Sequence, residues 1–282
     1  MKSVIATHTG CDMPLKEAEN LDVKVLSDIV AFDGEILRNM TELTSEQFYI
    51  RLDKSTSLPT TSHPSVGEYK QFFAEIFEGC DEFLFLSITS KMSGCYSTAL
   101  VAAEEYTSEH QDKSVYVYDT QQCSHGMAQI VREAARLRDK GYSISEIVEA
   151  LDEYRNKVGV YFILDTLKYA RMGGRVGAIK ALAADSMGIK PLLVFEKGVV
   201  RDLGVAKNFT DGLSKVLRKY ETEADFTKPV TVFHQAAPMR AAQLLEMINE
   251  VNPGVEIRVN LVGPVIGVYT GSGGAGLAFE KK

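Results

Sequence analysis

The chain has 282 residues, of which 45% are hydrophobic and 24% charged, so it can bury a core and is not a disordered protein. Its formal net charge is −7, from 31 Lys and Arg against 38 Asp and Glu, and this acidic balance argues against nucleic acid as the main partner. The sequence has no run of eighteen apolar residues and no apolar signal core near Met1–His8. We therefore expect a cytoplasmic protein without stable membrane insertion.

Strand and helix patterns alternate in the first half of the chain. This alternation predicts a mainly parallel sheet covered by helices on both faces, a three-layer α/β/α arrangement. The predicted strands are 4–7, 23–30, 82–88 and 115–118. The predicted helices are 45–52, 65–76, 96–106 and 126–140.

The pattern changes near residues 156–166, and the second half predicts a smaller α+β domain with a mixed sheet. We place the two domains at 1–160 and 161–282. The predicted helices here are 145–156, 167–170, 179–187, 209–220 and 239–251. The predicted strands are 158–164, 188–195 with a hairpin partner after 196–200, 230–234, 255–261, 265–269 and 276–280.

Four loops rich in hydroxyl groups or glycine are candidate ligand contacts. Ser93 and Gly94 lie where a buried strand passes into a helix, and backbone N–H groups at such a helix start favour a carboxylate or phosphate. Gly94 would let a ligand approach the backbone, and the Ser93 hydroxyl can donate to an oxyanion. In the loop 60–65, Thr61 and Ser62 remain free to face a ligand if Ser65 caps the next helix.

The other two loops follow later strands. The loop 119–126 contains Ser124, and the loop 269–276 contains Thr270 and Gly271. The latter also shows a formal GxGxxG pattern. We reject a dinucleotide site, because too few residues follow for the helix and acidic residue that this fingerprint needs.

Cysteine and histidine spacing indicates neither a metal site nor a catalytic triad. The four cysteines form no CxxC pair, and no Ser-His-Asp set is recognisable. We therefore predict no metal ligands and no catalytic residues.

The chain resembles the DegV family of bacterial fatty-acid-binding proteins nearly from end to end. The matching segments, in order, are Thr61-Ser62-His63-Pro64-Ser65, Ser93-Gly94-Cys95-Tyr96, Asp119-Thr120 with Ser124 and Gly126, Leu167 to Val176 with its Gly173-Gly174-Arg175, Ile189-Lys190-Pro191, and Gly263 to Gly267. Each segment alone is weak evidence for the resemblance, but the occurrence of all of them in the family's order is specific.

This resemblance implies a fatty acid lying between two domains, with no other cofactor and no catalytic base in the chain. Its carboxylate would be held by Thr61 and Ser93, helped by the neighbouring Ser62, Gly94, Thr270 and Gly271. The acyl chain should gain about 0.8 kcal/mol per buried CH₂, so an apolar tunnel would supply most of the affinity. The tunnel candidates are Leu164, Leu167, Leu182, Met187, Leu192 and Ile266.

The resemblance also implies a protein partner. Family members present the bound acid to a separate fatty acid kinase, which makes an acyl phosphate for phospholipid synthesis. The basic residues Lys168, Arg171 and Arg175 are the candidate partner surface.

Two departures from the family pattern concern the head group. Tyr269 stands where the family has a histidine, with Ser272 in place of a nearby proline, and His8 stands where the family has an aspartate. We expect His8 or Tyr269, with Ser124, to lie near the carboxylate.

Three other functions remain open. The chain could bind a different amphiphile, act as a regulatory protein through its basic surface, or serve as a substrate-binding subunit of the dihydroxyacetone-kinase type. The last would need a histidine that holds its substrate covalently, and a nucleotide partner.

Overall fold

The computed structural model describes residues 3–175 and 190–282. Within these ranges the strands are β1 (Val4–His8), β2 (Val23–Leu26), β3 (Ile29–Phe32), β4 (Glu35–Arg38), β5 (Thr60–Ser62), β6 (Glu82–Ser87), β7 (Ser114–Asp119), β8 (Val158–Ile163), β9 (Lys190–Glu196), β10 (Val199–Ala206), β11 (Val230–His234), β12 (Ile257–Leu261) and β13 (Ala275–Glu280). The helices there are α1 (Leu15–Asn20), α2 (Ser45–Lys54), α3 (Val66–Phe77), α4 (Cys95–Glu109), α5 (Ser124–Asp139), α6 (Ile144–Lys157), α7 (Lys168–Met172), α8 (Phe209–Glu223), α9 (Pro238–Val251) and α10 (Pro264–Thr270). None of these helices combines the length and apolar character needed to cross a bilayer.

A four-stranded sheet in the order β2–β1–β6–β7 is parallel throughout. Both of its faces are buried, as the apolar strand β6 requires. Phe83 and Phe85 pack on one side with α3 and α4, whereas Leu84 and Leu86 pack on the other side with α5. The predicted three-layer arrangement is confirmed.

A second, six-stranded sheet has the order β10–β9–β8–β13–β11–β12. All of its pairs are antiparallel except β11 with β12, so the predicted mixed sheet is confirmed. Val160 and Phe162 of β8 face the core that contains α5, whereas Tyr161 and Ile163 face α8 and α9. Helix α5 therefore lies between the two sheets.

A small antiparallel sheet, β4–β3–β5, was not predicted. It packs with α2 and α10 around Val30, Phe48 and Val268. This unit places the end of β5 beside the end of α10, where two of the predicted ligand loops meet.

Two strand predictions were wrong. The segment 23–30 contains two strands, β2 and β3, which belong to different sheets. Asp28 separates them, since its backbone N–H bonds the Thr9 hydroxyl and its carbonyl accepts from Asn39. The segment 265–269 is helix α10, which begins at Gly263-Pro264, and proline suits a first helical position. The helix predicted at 179–187 lies outside the described residues.

The chain division at 160/161 remains a prediction. The boundary falls inside β8, and one core cluster contains side chains of both large sheets.

Candidate functional site

A cavity lies where the carboxyl ends of β1 and β6 face the mixed sheet. The space between its walls, together with the open solvent at its mouth, amounts to about 1040 Å³. Most of its wall is apolar. The apolar residues that line it are Ile88, Met92, Val160, Phe162, Leu164, Ala170, Leu193, Phe195, Val200, Phe233, Val262, Val265 and Ile266.

Hydroxyl groups gather at the end of the cavity nearest to solvent. The Thr61 Oγ1 of β5 lies 2.6 Å from the hydroxyl of Tyr269 in α10, and Thr270 lines the cavity beside them. The Arg175 guanidinium lies over the Tyr269 ring, 5.0 Å from its centroid. Arg175 is the one Lys or Arg among the described lining residues, so a negative group would be favoured at this end.

Ser93 lines the cavity at the start of α4. Its Oγ accepts the N–H of Cys95 at 3.2 Å, so it satisfies one of the free donors of the first helical turn. Gly94 lies against the His63 ring. A Cβ there would come within 2.9 Å of the His63 Nε2, so the glycine lets the β5 loop pack against the start of α4. That contact brings Ser93 and Thr61 to the same part of the molecule.

A buried group of polar side chains lies behind Ser93. His8 Nδ1 lies 2.7 Å from Asp28 Oδ2, and His8 Nε2 accepts the backbone N–H of Ile88 at 2.9 Å. The Nδ1 atom faces both the Asp28 carboxylate and the Gly10 backbone N–H, which lies 3.3 Å away. Both ring nitrogens are therefore engaged.

Cys95 completes this group. Its thiol lies 3.8 Å from Asp28 Oδ1, and burial holds its pKa well above the usual range, so it stays protonated and is a poor nucleophile. The ligand-type atoms of His8, Asp28 and Cys95 all lie within 4.8 Å of one another, a spacing that a metal ion could use. Hydrogen bonds already join them, and these bonds account for the arrangement without an ion.

Ser124 lines the cavity at the start of α5, but its hydroxyl is engaged. It donates to the carboxylate of Asp12, whose pKa burial raises to about 7. Ser124 thus contributes its backbone and Cβ to the wall rather than a free donor.

The structure brings nine of the sixteen predicted site residues that it describes to this one cavity. Those that line it are Thr61, Ser93, Thr270, His8, Tyr269, Ser124, Leu164, Ile266 and Arg175. Leu182 and Met187 lie outside the described residues.

Seven predicted residues do not line the cavity. They are Ser62, Gly94, Gly271, Leu167, Leu192, Lys168 and Arg171. Ser62 is exposed, and Gly271 ends α10 at φ 68° against the Tyr169 ring. Leu192 was assigned to the wrong face of β9, because it packs with α8 and α9 while Leu193 faces the cavity. Leu167 packs in the core without reaching the cavity.

Sequence reasoning missed the wall that the mixed sheet supplies. Val160, Phe162, Leu193 and Phe195 all point toward α5. Side chains alternate along β8 and β9, but both faces of these strands are buried, so the sequence does not show which face meets the cavity. His125 and Gln235 were also not among the predicted site residues, although His125 lies in the predicted loop 119–126.

Two sheets that enclose a largely apolar cavity, with hydroxyls and one arginine at its outer end, define an α/β protein with a candidate ligand site. A family model described as an uncharacterised protein of the DegV family matches residues 2–282. A DegV domain-containing protein from Clostridium perfringens is 31% identical over 277 residues, which cover 96% of this chain and 95% of that protein.

Solved structures agree over the whole chain. A DegV family protein from Thermus thermophilus, described by its fatty acid binding, has a TM-score of 0.90 at 28% identity and covers 99% of this chain and 100% of its own. DegV from Bacillus subtilis, described as a fatty acid binding protein, has a TM-score of 0.89 at 25% identity and covers 100% of each chain. The present chain belongs to the DegV family.

Proposed function

We propose that this protein binds one long-chain fatty acid in the cavity, with the carboxylate on the Thr61 and Ser93 hydroxyls. The observation that carries the proposal is the grouping of hydroxyls and Arg175 at one end of an otherwise largely apolar cavity. The fatty acid binding described for the two solved relatives supports it.

The two ends of the ligand would contribute differently. Each buried CH₂ gains about 0.8 kcal/mol, so a chain of sixteen or eighteen carbons supplies most of the affinity. A hydrogen bond from a hydroxyl to a carboxylate adds roughly 1.5–3 kcal/mol and fixes the direction of binding. Tyr269 would assist, because its hydroxyl already meets that of Thr61.

The first test is mass spectrometry of lipid extracted from natively purified protein. We expect a stoichiometric fatty acid in the wild type. In the Thr61→Val/Ser93→Ala variant we expect the affinity for added fatty acid to fall by roughly a hundred- to ten-thousandfold, as the loss of two charge-assisted bonds predicts. Tyr269→Phe should show a smaller loss of affinity in the same direction.

Ser62→Ala is the matched control, because Ser62 lies next to Thr61 but faces solvent. Its affinity should equal that of the wild type. A wild-type protein that is empty and takes up no added fatty acid would overturn the proposal. Other anionic amphiphiles would then be screened.

We further propose that the chain is non-catalytic and presents the bound acid to a separate kinase. Two of the polar groups that line the cavity support this, since the Cys95 thiol stays protonated and both His8 nitrogens are engaged. Incubation with ATP and a fatty acid kinase should yield acyl phosphate, whereas turnover without that kinase would contradict the proposal.

The kinase contact is proposed to include Lys168, Arg171 and Arg175, which lie in or just after α7. Charge reversal of Lys168 should slow phosphorylation and leave fatty acid affinity unchanged, because Lys168 is exposed and does not line the cavity.

A further inference from the structure

The cavity has a second polar patch, formed by His125 and Gln235. His125 lies in the first turn of α5 and is fully buried, and Gln235, which follows β11, is 1% exposed. Both line the cavity, and the His125 ring lies 5.3 Å from that of Phe233, on the same wall. This patch is separate from the Thr61 end, where the half-buried Thr61 and Tyr269 and the exposed Arg175 lie closer to solvent.

Three side-chain atoms of this patch have no hydrogen-bond partner among the described residues. Neither ring nitrogen of His125 forms a hydrogen bond with any described residue, and neither does the Gln235 Oε1. Buried polar atoms are satisfied in nearly all native proteins, because leaving one unpaired carries a substantial desolvation cost. Two such side chains facing one ligand cavity therefore indicate that the ligand supplies the partner.

The chemistry of the patch limits what that partner can be. Burial lowers the pKa of His125 to about 3, so the ring is neutral at physiological pH and offers one N–H donor and one acceptor nitrogen. The Gln235 Oε1 is an acceptor. A neutral group that both donates and accepts, such as a hydroxyl, matches this set, whereas a second carboxylate does not.

Two other unpartnered atoms on α5 belong to residues away from the cavity. Gln129 Oε1 and Arg132 Nη1 also lack a partner among the described residues, and they follow His125 on one face of α5. Neither residue lines the cavity. Of this stripe, only His125 lines the cavity.

We propose that His125 and Gln235 form a subsite for an oxygen function along the acyl chain, so that the preferred ligand class is hydroxy fatty acids. This inference rests on the proposed function, since it assumes a fatty acid whose carboxylate lies at the Thr61 end. In a wholly apolar tunnel a chain hydroxyl would lose its water partners and weaken binding. Here it can donate to Gln235 and accept from His125.

The test compares stearic acid with a panel of hydroxystearic acids that differ in hydroxyl position, using delipidated full-length protein. The quantity measured is the stearic acid dissociation constant divided by that of the best hydroxystearic isomer. We expect this ratio to fall by at least threefold in the His125→Leu/Gln235→Leu variant. A fall of less than threefold overturns the inference.

Gln129→Leu is the control, because it removes an unpartnered polar atom from α5 at a residue that does not line the cavity, and its ratio should stay at the wild-type value. Gln235→Met, which keeps the length of the side chain, provides the same test if the double variant does not fold. If the wild-type protein binds stearic acid but the ratio is the same in the variants, this inference alone is overturned. Protein that binds neither stearic acid nor any isomer overturns the proposed function as well.

Discussion

Asp12 is a buried carboxylate near the ligand cavity. It is 2% exposed and accepts a hydrogen bond from Ser124, yet burial raises its pKa to about 7. In the unfolded chain an aspartate has a pKa near 4. The folded protein therefore holds this proton more tightly than the unfolded chain does, and stability falls as pH rises from about 4 to 7.

Asp12→Asn should remove this pH dependence. The amide is neutral at every pH, and asparagine tolerates the left-handed backbone at this site, where φ is 53°. The variant should therefore gain about 2–3 kcal/mol of stability relative to wild type between pH 5 and pH 8. Urea unfolding of both proteins at several pH values measures the difference between their free energies of unfolding. The other titrating groups contribute equally to both proteins and cancel in this difference. Parallel stability curves for the two proteins would contradict the assignment.

The contact between α8 and β8 depends on a glycine. A Cβ at Gly212 would lie 1.8 Å from the Ile163 Cδ1 and 3.3 Å from the Ala206 Cβ. Helix propensity alone would favour alanine at this helical position by about 1 kcal/mol. A net loss of stability on substitution would therefore report the steric contact.

Gly212→Ala should lower the free energy of unfolding by roughly 1–3 kcal/mol, because the core around Ile163 is closely packed. Ile163→Val removes the clashing methyl group, so Gly212→Ala should cost less in that background. Urea denaturation of the two single variants and the double variant gives the coupling. Additive effects would mean that α8 shifts freely and that the contact does not set its position.

The elements that could be predicted from sequence are those with a long periodic pattern or a clear cap. Helices α3 and α6 start with capping boxes, Ser65 with Glu68 and Ser143 with Glu146, and both were located within a few residues. Short apolar runs were predicted wrongly, as α10 shows, because a run of five residues is too short to show a reliable period. The small sheet was missed for the same reason, since β5 has three residues and exposed ends.

The same distinction between local and long-range information holds for the candidate site. Loops with a local chemical signature, such as Thr61 and Ser93, could be named from sequence, and the structure places both at the cavity. The mixed-sheet wall depends on which face of β8 and β9 turns toward α5, and that is decided by packing between distant segments. Gln235 acquires its position only from the same packing.

One hydrophobic core joins the two large sheets. Leu84 and Leu86 of the parallel sheet and Phe162 and Leu193 of the mixed sheet belong to a single cluster, with α5 between them. The loops also meet, since the Thr89 hydroxyl donates to the carbonyl of Gly198 in the turn after β9. Separating the sheets would expose this cluster on both sides.

The whole chain should therefore unfold in one cooperative transition. Leu84→Ala should move that transition to lower temperature by removing 2–5 kcal/mol or so of core packing, without splitting it. Calorimetry, together with circular dichroism in the far and near ultraviolet, checks this. Two separate transitions would instead support independent folding of the predicted units 1–160 and 161–282.

The cavity wall and the hydrophobic core are built from the same side chains. Val160, Phe162, Leu193 and Phe195 belong to the central cluster and also line the cavity. A bound acyl chain would thus occupy the position of missing core side chains, and its binding energy would add to the resistance of the protein to heat. At a free ligand concentration a hundred times the Kd, that gain is about 2.7 kcal/mol. A cell that lacks the right lipid would hold this protein in a more fragile form, so its abundance could follow lipid supply without any change in gene expression.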